Sequence, residues 1–319
     1  MSSCTTLFIG GPVPRGSMKK SKNRAWSEAL HSFSRVEGVR LHWAELGRAN
    51  GSVPLVLLHG LNDSYLTWKH VAPALAHNRR VLMPDLPGHG MSERPDASYE
   101  LGWHAHIIAK WFEQIGVELA DVGGHSYGGG VAQMLLLECP ARVRRLVLVA
   151  SGGLGREIGI ALRLATIPQV VEFLGQPFMA VGTRLALRGS GYSQQDIAET
   201  CAMIAKPGSA RAFARAVRDI ADWRGQRKTF YQRAHELRAL PPIAVVWGDR
   251  DTMIPITHGK AFAESAEGVV FKPFPNCSHY LHHDRPDLFV TTLREFLDTP
   301  TVPPARLPSH PPLARPDRT

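Results

Sequence analysis

A Gly-x-Ser-x-Gly motif, Gly124–Gly128 with Ser126 at its centre, constrains the fold of this chain more than any other feature. Residues 117–122 before it predict a short strand, and residues 131–137 after it predict a buried helix. A strand turns this sharply into a helix only where glycines let the backbone bend, and the motif supplies two. The turn would expose the serine hydroxyl above a helix N-terminus, as in a nucleophile elbow. The alternative is a glycine-rich turn whose serine only caps the helix.

Strands and helices alternate on both sides of this motif. Apolar segments predict buried parallel strands at 53–58, 80–83, 145–149 and 243–247. Helices are predicted at 99–115 and 129–139, and residues 36–43 predict an opening hairpin. This βαβ pattern predicts an α/β fold whose mostly parallel, doubly covered sheet is formed by residues 28–150 and 241–298.

The alternation stops between residues 151 and 240. Ser193 and Asp196 have the spacing of a capping box. Two apolar helical faces follow, at Ile197, Cys201 and Ile204 and at Phe213, Val217 and Ile220. We therefore expect a wholly helical insertion, which would form a lid over the carboxyl ends of the strands, where open α/β sheets bind ligands. The alternative is a packing decoration with no role in binding.

The two ends of the chain carry most of its net charge of +9. Residues 1–27 contribute +5 and residues 299–319 contribute +2, which leaves +2 for the 271 residues between them. This distribution does not predict a nucleic-acid-binding surface. The first segment is predicted to be a disordered basic tail, and the second, with seven prolines, a disordered proline-rich tail.

Cysteine usage and hydropathy indicate a cytoplasmic protein. The four cysteines form no paired spacing that would predict disulfides or a zinc site: Cys4, Cys139, Cys201 and Cys277. The N-terminal segment lacks the pattern of a secretory signal. No run of 18 uncharged apolar residues predicts a membrane span.

A serine nucleophile needs a base to take its proton and a carboxylate to orient that base. Asp249 and Asp251 follow one late predicted strand, and His279 follows the next. The order Ser, Asp, His is the one expected when an elbow serine lies on an α/β sheet. Residues two apart in an extended segment lie about 7 Å from each other, so only one of the two aspartates can bond to one imidazole nitrogen.

With these motifs the sequence resembles the α/β-hydrolase superfamily over residues 33–298. Four segments carry the resemblance: Leu57–Leu61, Pro84–Ser92, Gly124–Gly128 and Trp247–Asp251. His279 is also followed by an acidic residue five positions later and a proline seven positions later, as the family pattern has it. The resemblance implies an α/β-hydrolase fold with an inserted helical lid. One departure is Ser278, which stands where the family usually has glycine.

The resemblance also implies the roles of individual residues. Ser126 would be the nucleophile, His279 the base and Asp251 the acid that orients it. Independently of the resemblance, the position of Asp249 closer to the strand end predicts that it ties down its loop through an Asx-type turn. The oxyanion hole would consist of the backbone N–H groups of Leu61 and Tyr127. No cofactor and no metal are implied, and the expected partner is a small-molecule substrate.

Serine at the elbow argues against the epoxide-hydrolase and haloalkane-dehalogenase branches, whose nucleophile is a carboxylate. We therefore expect hydrolysis of an ester or related acyl bond. One alternative is a hydrolase of carbon–carbon bonds in ring-fission diketones, which usually has tryptophan where this chain has Tyr280. Another is a non-catalytic small-molecule receptor. The predicted lid contains aromatic residues that favour an apolar substrate: Phe173, Phe178, Phe213, Trp223 and Phe230.

Other histidines and acids have simpler interpretations. His59, Asp85 and His89 are expected to shape loops around the site. His104 and His106 lie two apart on a predicted helix and cannot share a face for a metal. His282 and His283, near Asp284, are expected in a solvated turn. The sequence predicts no oligomeric state.

Overall fold

The structure, a computed structural model, describes residues 25–48, 50–166, 171–172, 175–188, 191–300 and 304–306. Its centre is an eight-stranded sheet. The strands are β1 Leu30–Val36, β2 Val39–Leu46, β3 Leu55–Leu58, β4 Val81–Pro84, β5 Ala120–His125, β6 Val143–Val149, β9 Ile243–Gly248 and β10 Val270–Phe274. The predicted basic tail, apart from residues 25–27, lies outside the described residues, as does Phe173.

The strands are arranged in the order β1-β2-β4-β3-β5-β6-β9-β10. Strand β2 pairs antiparallel with both β1 and β4, and all the other neighbours pair parallel. The predicted mostly parallel sheet is thus confirmed, and β1 and β2 form the predicted opening hairpin. The chain moves outward from β3 to β4 and returns to place β5 on the other side of β3. Ligands bind at such a reversal of strand order, outside the carboxyl ends of the strands.

Central strands β3, β5 and β9 are buried at every residue, which requires helices on both faces of the sheet. The helices outside the inserted segment are α1 Ala72–Leu75, α2 Leu101–Gln114, α3 Tyr127–Glu138, α8 Thr257–Ser265, α9 Leu281–Asp284 and α10 Pro286–Asp298. The core between sheet and helices contains fully buried aromatic residues such as Trp68, Trp111 and Phe289.

Among the residues that the structure describes, four α-helices with defined bounds lie between β6 and β9: α4 Ile160–Ala165, α5 Met179–Ala186, α6 Gln194–Ile204 and α7 Ser209–Ile220. The capping box of Ser193 and Asp196 at the start of α6 is confirmed. The expectation of a wholly helical insertion is wrong, because β7 Ala221–Asp222 and β8 Gly225–Gln226 form a short hairpin. Gly225 permits it with a φ of +125°, at a point where a Cβ would overlap the carbonyl oxygen of Arg156.

Residues 304–306, within the segment predicted to be a proline-rich tail, contact the body of the protein. Glu267 and Arg306 exchange two backbone hydrogen bonds of 2.8 Å, and the N–H of Ala305 donates to the Pro241 carbonyl at 3.2 Å. Ala305 is buried against the core. The prolines do not prevent this pairing, because the N–H groups that donate belong to Glu267, Ala305 and Arg306. Residues 301–303 and 307–319 lie outside the described residues.

Candidate active site

Ser126 stands alone between the end of β5 and the start of α3, with a φ of +53° and a ψ of −116°. This conformation is strained for a residue with a side chain, and its neighbours hold it in place. The N–H of Ser126 donates to the Val149 carbonyl at 2.9 Å. Its carbonyl accepts from the N–H groups of Gly129 and Gly152, both at 3.0 Å. The hydroxyl makes no helix-capping hydrogen bond, so the interpretation as a simple capping serine is wrong.

The two glycines of the motif are required by backbone contacts. A Cβ at Gly124 would overlap the carbonyl of Gly128, and one at Gly128 would overlap the carbonyls of Leu58 and His59. Backbone atoms cannot move aside as a flexible side chain can. The motif therefore packs directly on the end of β3, and this contact brings the loop after β3 next to Ser126.

His279 and Asp251 form a buried pair. The Nδ1 of His279 donates to Oδ2 of Asp251 at 2.7 Å, and both side chains are almost completely buried. The other carboxylate oxygen, Oδ1, accepts from the N–H groups of Met253 at 2.8 Å and Ile254 at 3.0 Å. A proton on Nδ1 leaves Nε2 of His279 as the free acceptor of the ring.

Asp249 makes a different contact. Its Oδ1 accepts from the N–H of Cys277 at 3.2 Å and so links the loops after β9 and β10. The expected Asx-type turn belongs to Asp251 instead, whose side chain accepts from residues two and three positions later. Asp249 does stabilise the loop through a backbone N–H, but across to the neighbouring loop.

The loop that carries His279 is held from two sides. Oδ2 of Asp284 accepts from the N–H of Ser278 at 2.6 Å and from its hydroxyl at 2.7 Å. The departure from glycine at 278 thus adds a hydrogen bond, and the acidic residue five positions after His279 has a structural role. On the other side, Nε2 of His125 donates to the carbonyl of His279 at 3.0 Å.

His282 and His283 do not lie in a solvated turn. They are 1% and 6% exposed, because they pack between the loop after β3 and the inserted segment. The hydroxyl of Thr67 lies 2.9 Å from Nε2 of His282 and 3.3 Å from Nε2 of His283, and the Tyr192 ring stacks on His283. Burial lowers the pKa of His283 to about 3 and that of His282 well below its ordinary value. Both rings are therefore neutral near pH 7.

His59, Asp85 and His89 are all buried and bond to loop backbone, in line with the expected structural role. Asp85 accepts from the N–H groups of Tyr65 and Met91, both at 2.8 Å. Nε2 of His59 accepts from the N–H of Leu86 at 2.9 Å. These bonds fix the loops after β3 and β4 against each other.

A cavity of about 410 Å³ lies between the strand ends and the inserted segment. Ser126, His279, Leu61 and Tyr127 all line it. The N–H of Tyr127 is the first of α3 and has no acceptor within the helix, so it can bind an anion. Most of the remaining lining is apolar and comes from the inserted segment, including Ile158, Leu162, Met179, Leu187 and Val217.

The aromatic residues of the predicted lid divide into three groups. Phe178 and Phe213 line it. Phe230 packs in the main core, and Trp223 is 58% exposed. Phe173 lies outside the described residues. Aromatic spacing in the sequence could not distinguish these environments.

Several polar residues of the cavity were not predicted, among them Asn62, Asp63 and Gln226. Asn62 has a φ of +57°, and its Nδ2 donates to the hydroxyl of Thr183 on α5 at 2.7 Å. Asp63 is 5% exposed, and burial raises its pKa to about 7. Gln226 comes from β8. The first two adjoin Leu61 and could have been found from that position, but no sequence signal identifies Gln226.

The part of the chain that the structure describes contains no group of three histidine, cysteine, aspartate or glutamate side chains that could hold a metal. Within the same residues, no helix has the length and apolar character needed to cross a bilayer.

Comparison with known proteins identifies the family. A family model of the alpha/beta hydrolase fold matches residues 53–286. An uncharacterized protein of Mycobacterium tuberculosis is 31% identical over 280 residues, which cover 84% of this chain and 81% of that protein. A 2-hydroxymuconate semialdehyde hydrolase of a Pseudomonas species is 28% identical over 276 residues, 82% of this chain and 91% of that enzyme.

Among solved structures, Cfl2 of Burkholderia cenocepacia is similar, with a TM-score of 0.71 and 26% identity. The match covers 84% of this chain and 95% of that one. The sheet order, the strained serine between β5 and α3 and the matched family model lead to one conclusion: the chain belongs to the α/β-hydrolase family.

Proposed function

We propose that this protein is a serine hydrolase that cleaves an ester or related acyl bond of a small, neutral and largely apolar substrate. The observation that carries the proposal is the strained Ser126, which lines the same cavity as His279, whose ring is hydrogen-bonded to Asp251. Strain of this kind is retained where a side chain has to be presented to a ligand.

The reaction proceeds in two halves. Nε2 of His279 takes the proton of the Ser126 hydroxyl as Oγ attacks the substrate carbonyl, and Asp251 stabilises the resulting imidazolium. The N–H groups of Leu61 and Tyr127 bind the oxyanion. The intermediate collapses, the alcohol leaves with the proton from His279, and an acyl group stays on Ser126. Water, deprotonated by His279, then attacks the acyl carbonyl, and as the acid leaves, Oγ of Ser126 takes that proton back from His279.

The charge of the cavity supports a neutral substrate. No lysine or arginine is among its described lining residues, whereas Asp63 is. The three short stretches of the insertion outside the described residues, 167–170, 173–174 and 189–190, contain no lysine or arginine either. A carboxylate in this cavity would be desolvated without a cation, which is unfavourable.

The second candidate is carbon–carbon bond hydrolysis, which the similarity to 2-hydroxymuconate semialdehyde hydrolase favours. The substrate of that relative is named as a carboxylate, and the cavity of this chain offers such a group no cation. The two candidates are separated by comparing hydrolysis rates on two sets of substrates. One set is neutral phenyl esters of increasing acyl length, and the other is a neutral vinylogous diketone with its carboxylate analogue. We expect turnover of the esters; exclusive turnover of the diketones would favour the second candidate.

The nucleophile is tested by labelling with a fluorophosphonate. We expect one label, located on Ser126 by peptide mass spectrometry, and none in the Ser126→Ala variant. Ser278, which is engaged by Asp284, is the internal control for nonspecific serine reactivity and should remain unmodified. A folded protein that takes up no label, or is labelled at another residue, would contradict the proposal.

A further inference from the structure

The side chain of Gln226 is only half satisfied by hydrogen bonds. Its Oε1 accepts from the N–H of Gly153 at 2.7 Å. Because a backbone N–H requires an acceptor, this bond fixes which end of the amide is oxygen. The amide nitrogen Nε2 is buried and has no hydrogen-bond partner among the residues that the structure describes. Gln226 as a whole is 8% exposed and lines the cavity.

The amide lies beside the serine turn. The N–H of Gly152 donates to the carbonyl of Ser126 at 3.0 Å, and the next residue, Gly153, holds Gln226. A Cβ at Gly152 would lie 3.3 Å from Oε1 of Gln226 and 3.6 Å from the carbonyl oxygen of Ser126. A substrate whose carbonyl lies at Ser126 would therefore extend past this amide within a few bonds.

A second glutamine in the same region provides a contrast. Nε2 of Gln133 donates to the Ser151 hydroxyl and to the Gly152 carbonyl, both at 2.8 Å, so this amide is satisfied within the protein. Buried N–H groups nearly always have acceptors, and one without an acceptor in a ligand cavity is satisfied when a ligand supplies it.

We infer that Gln226 is a specificity-determining residue that donates a hydrogen bond to a second oxygen of the substrate, near the scissile carbonyl. The inference rests on the proposed function and narrows its substrate class to esters with an additional ketone, ether or amide oxygen. The oxygen is neutral, because the described lining residues include no lysine or arginine to accompany a carboxylate.

The test compares esters that differ only in this oxygen. The acyl series is phenyl hexanoate with its 3-, 4- and 5-oxo analogues, and the alcohol pair is methallyl and acetonyl benzoate. An oxo group also changes the intrinsic reactivity of the ester. To cancel this effect, the ratio of kcat/KM on the oxo ester to kcat/KM on the hydrocarbon ester is taken in the wild type and divided by the same ratio in Gln226→Met. We expect this quotient to reach about tenfold for at least one oxo ester, the effect of one neutral hydrogen bond.

A second variant separates ligand binding from a structural role. Gln226→Glu, assayed at pH 8.5, keeps an acceptor for the N–H of Gly153 but removes the donor. We expect it to lose the oxo preference as Gln226→Met does, measured as the oxo-to-hydrocarbon ratio of kcat/KM within each variant, so that an effect of the new carboxylate on all esters cancels. One outcome would overturn the inference: Gln226→Met lowers kcat/KM equally on all esters, while Gln226→Glu hydrolyses them at normal rates. This would show that only the hydrogen bond to Gly153 matters.

Binding measured in the Ser126→Ala background makes the result independent of catalysis. The Kd values of the same esters should show the oxo preference in Ser126→Ala and not in the Ser126→Ala, Gln226→Met double variant. A preference of the same size in both variants would overturn the inference even if the enzyme hydrolyses esters. Conversely, oxo esters could bind more tightly than hydrocarbon esters while the wild type hydrolyses neither. That result would refute the proposed function and leave the role of Gln226 intact.

Discussion

The two walls of the cavity are built in different ways. One wall, which we name the floor, consists of the loops after β3, β5, β6, β9 and β10; the other, the cap wall, consists of α4–α7, residues 160–220. In the floor, the turn around Ser126 is held by backbone hydrogen bonds and by glycines that contact backbone. The cap wall exposes large apolar side chains, such as Phe178 at 66% and Leu185 at 59%. Position is thus fixed in the floor, whereas the cap wall supplies mainly apolar surface.

The walls are joined by polar side-chain contacts and by the Tyr192 ring stacked on His283. Asn62 bonds to Thr183, and Lys69 and His70 contact Asp196 at 3.2 and 2.8 Å. We therefore expect floor substitutions to change kcat or stability strongly and cap substitutions to change KM weakly. The following predictions test that difference.

The largest effect is expected for Asp251→Asn. An asparagine cannot hold His279 in the tautomer with the proton on Nδ1, and in other triads this lowers kcat by roughly 10⁴-fold. The matched control is Asp249→Asn, whose amide oxygen can still accept from the N–H of Cys277, so it should cost no more than about 1 kcal/mol of stability with kcat retained. Both kcat values are measured on one activated ester, with circular dichroism for folding. Loss of activity in the control alone would reverse the assignment.

The second prediction compares two glycines: Gly128, which adjoins the floor, and Gly182, which belongs to the cap wall. Gly128→Ala places a Cβ against two backbone carbonyls and should lower the free energy of unfolding by about 3 kcal/mol or more. Gly182→Ala, in α5, meets no atom of the described residues within 4 Å and should raise it by about 0.5 to 1 kcal/mol, since alanine favours a helix. Urea unfolding of both variants measures the difference; similar changes would remove the distinction between floor and cap wall.

The third prediction concerns the loss of folding stability as the pH falls. All fifteen histidines lie outside the cap wall. His283 keeps its neutral form down to about pH 3 in the folded chain, whereas the ordinary pKa is 6.5. Between these values the unfolded chain binds more protons, so stability falls as the pH falls, by about 2 kcal/mol from pH 6.5 to 5 for this one group.

This loss is measured by urea unfolding at several pH values between 5 and 8. Below pH 6.5, His283→Gln should reduce the slope of the free energy of unfolding against pH by an amount that corresponds to about one proton. Above pH 7 this slope should change little. An unchanged slope in the variant would show that His283 is protonated in the folded chain.

The smallest effect is expected at the contact between the walls. Thr183→Val keeps the shape of the side chain and removes the acceptor of Asn62. One neutral hydrogen bond is worth about 1 kcal/mol, so KM should rise by roughly fivefold with kcat nearly constant. A fall of kcat by more than about a hundredfold would mean that the cap wall fixes catalytic geometry as the floor does.

Local sequence rules determined the architecture of this protein. Apolar strands, intervening helices and the turn around Ser126 each depend on neighbouring residues, and the predicted α/β sheet is confirmed. The capping box at Ser193 was found for the same reason. The roles of Ser126, His279, Asp251, Leu61 and Tyr127 stay predictions, although the structure brings all but Asp251 to one cavity and bonds Asp251 to His279.

Tertiary structure alone decided the chemistry of the rest of the cavity. His282 and His283 look polar and solvated along the chain but are buried by segments distant in sequence. Asp63 acquires its raised pKa, and Gln226 its unpaired amide, only from what packs around them. Burial is a property of contacts between distant segments, whereas a motif records only neighbours along the chain. The motif could therefore suggest acyl chemistry, while the polarity of the cavity that selects a substrate came from the fold.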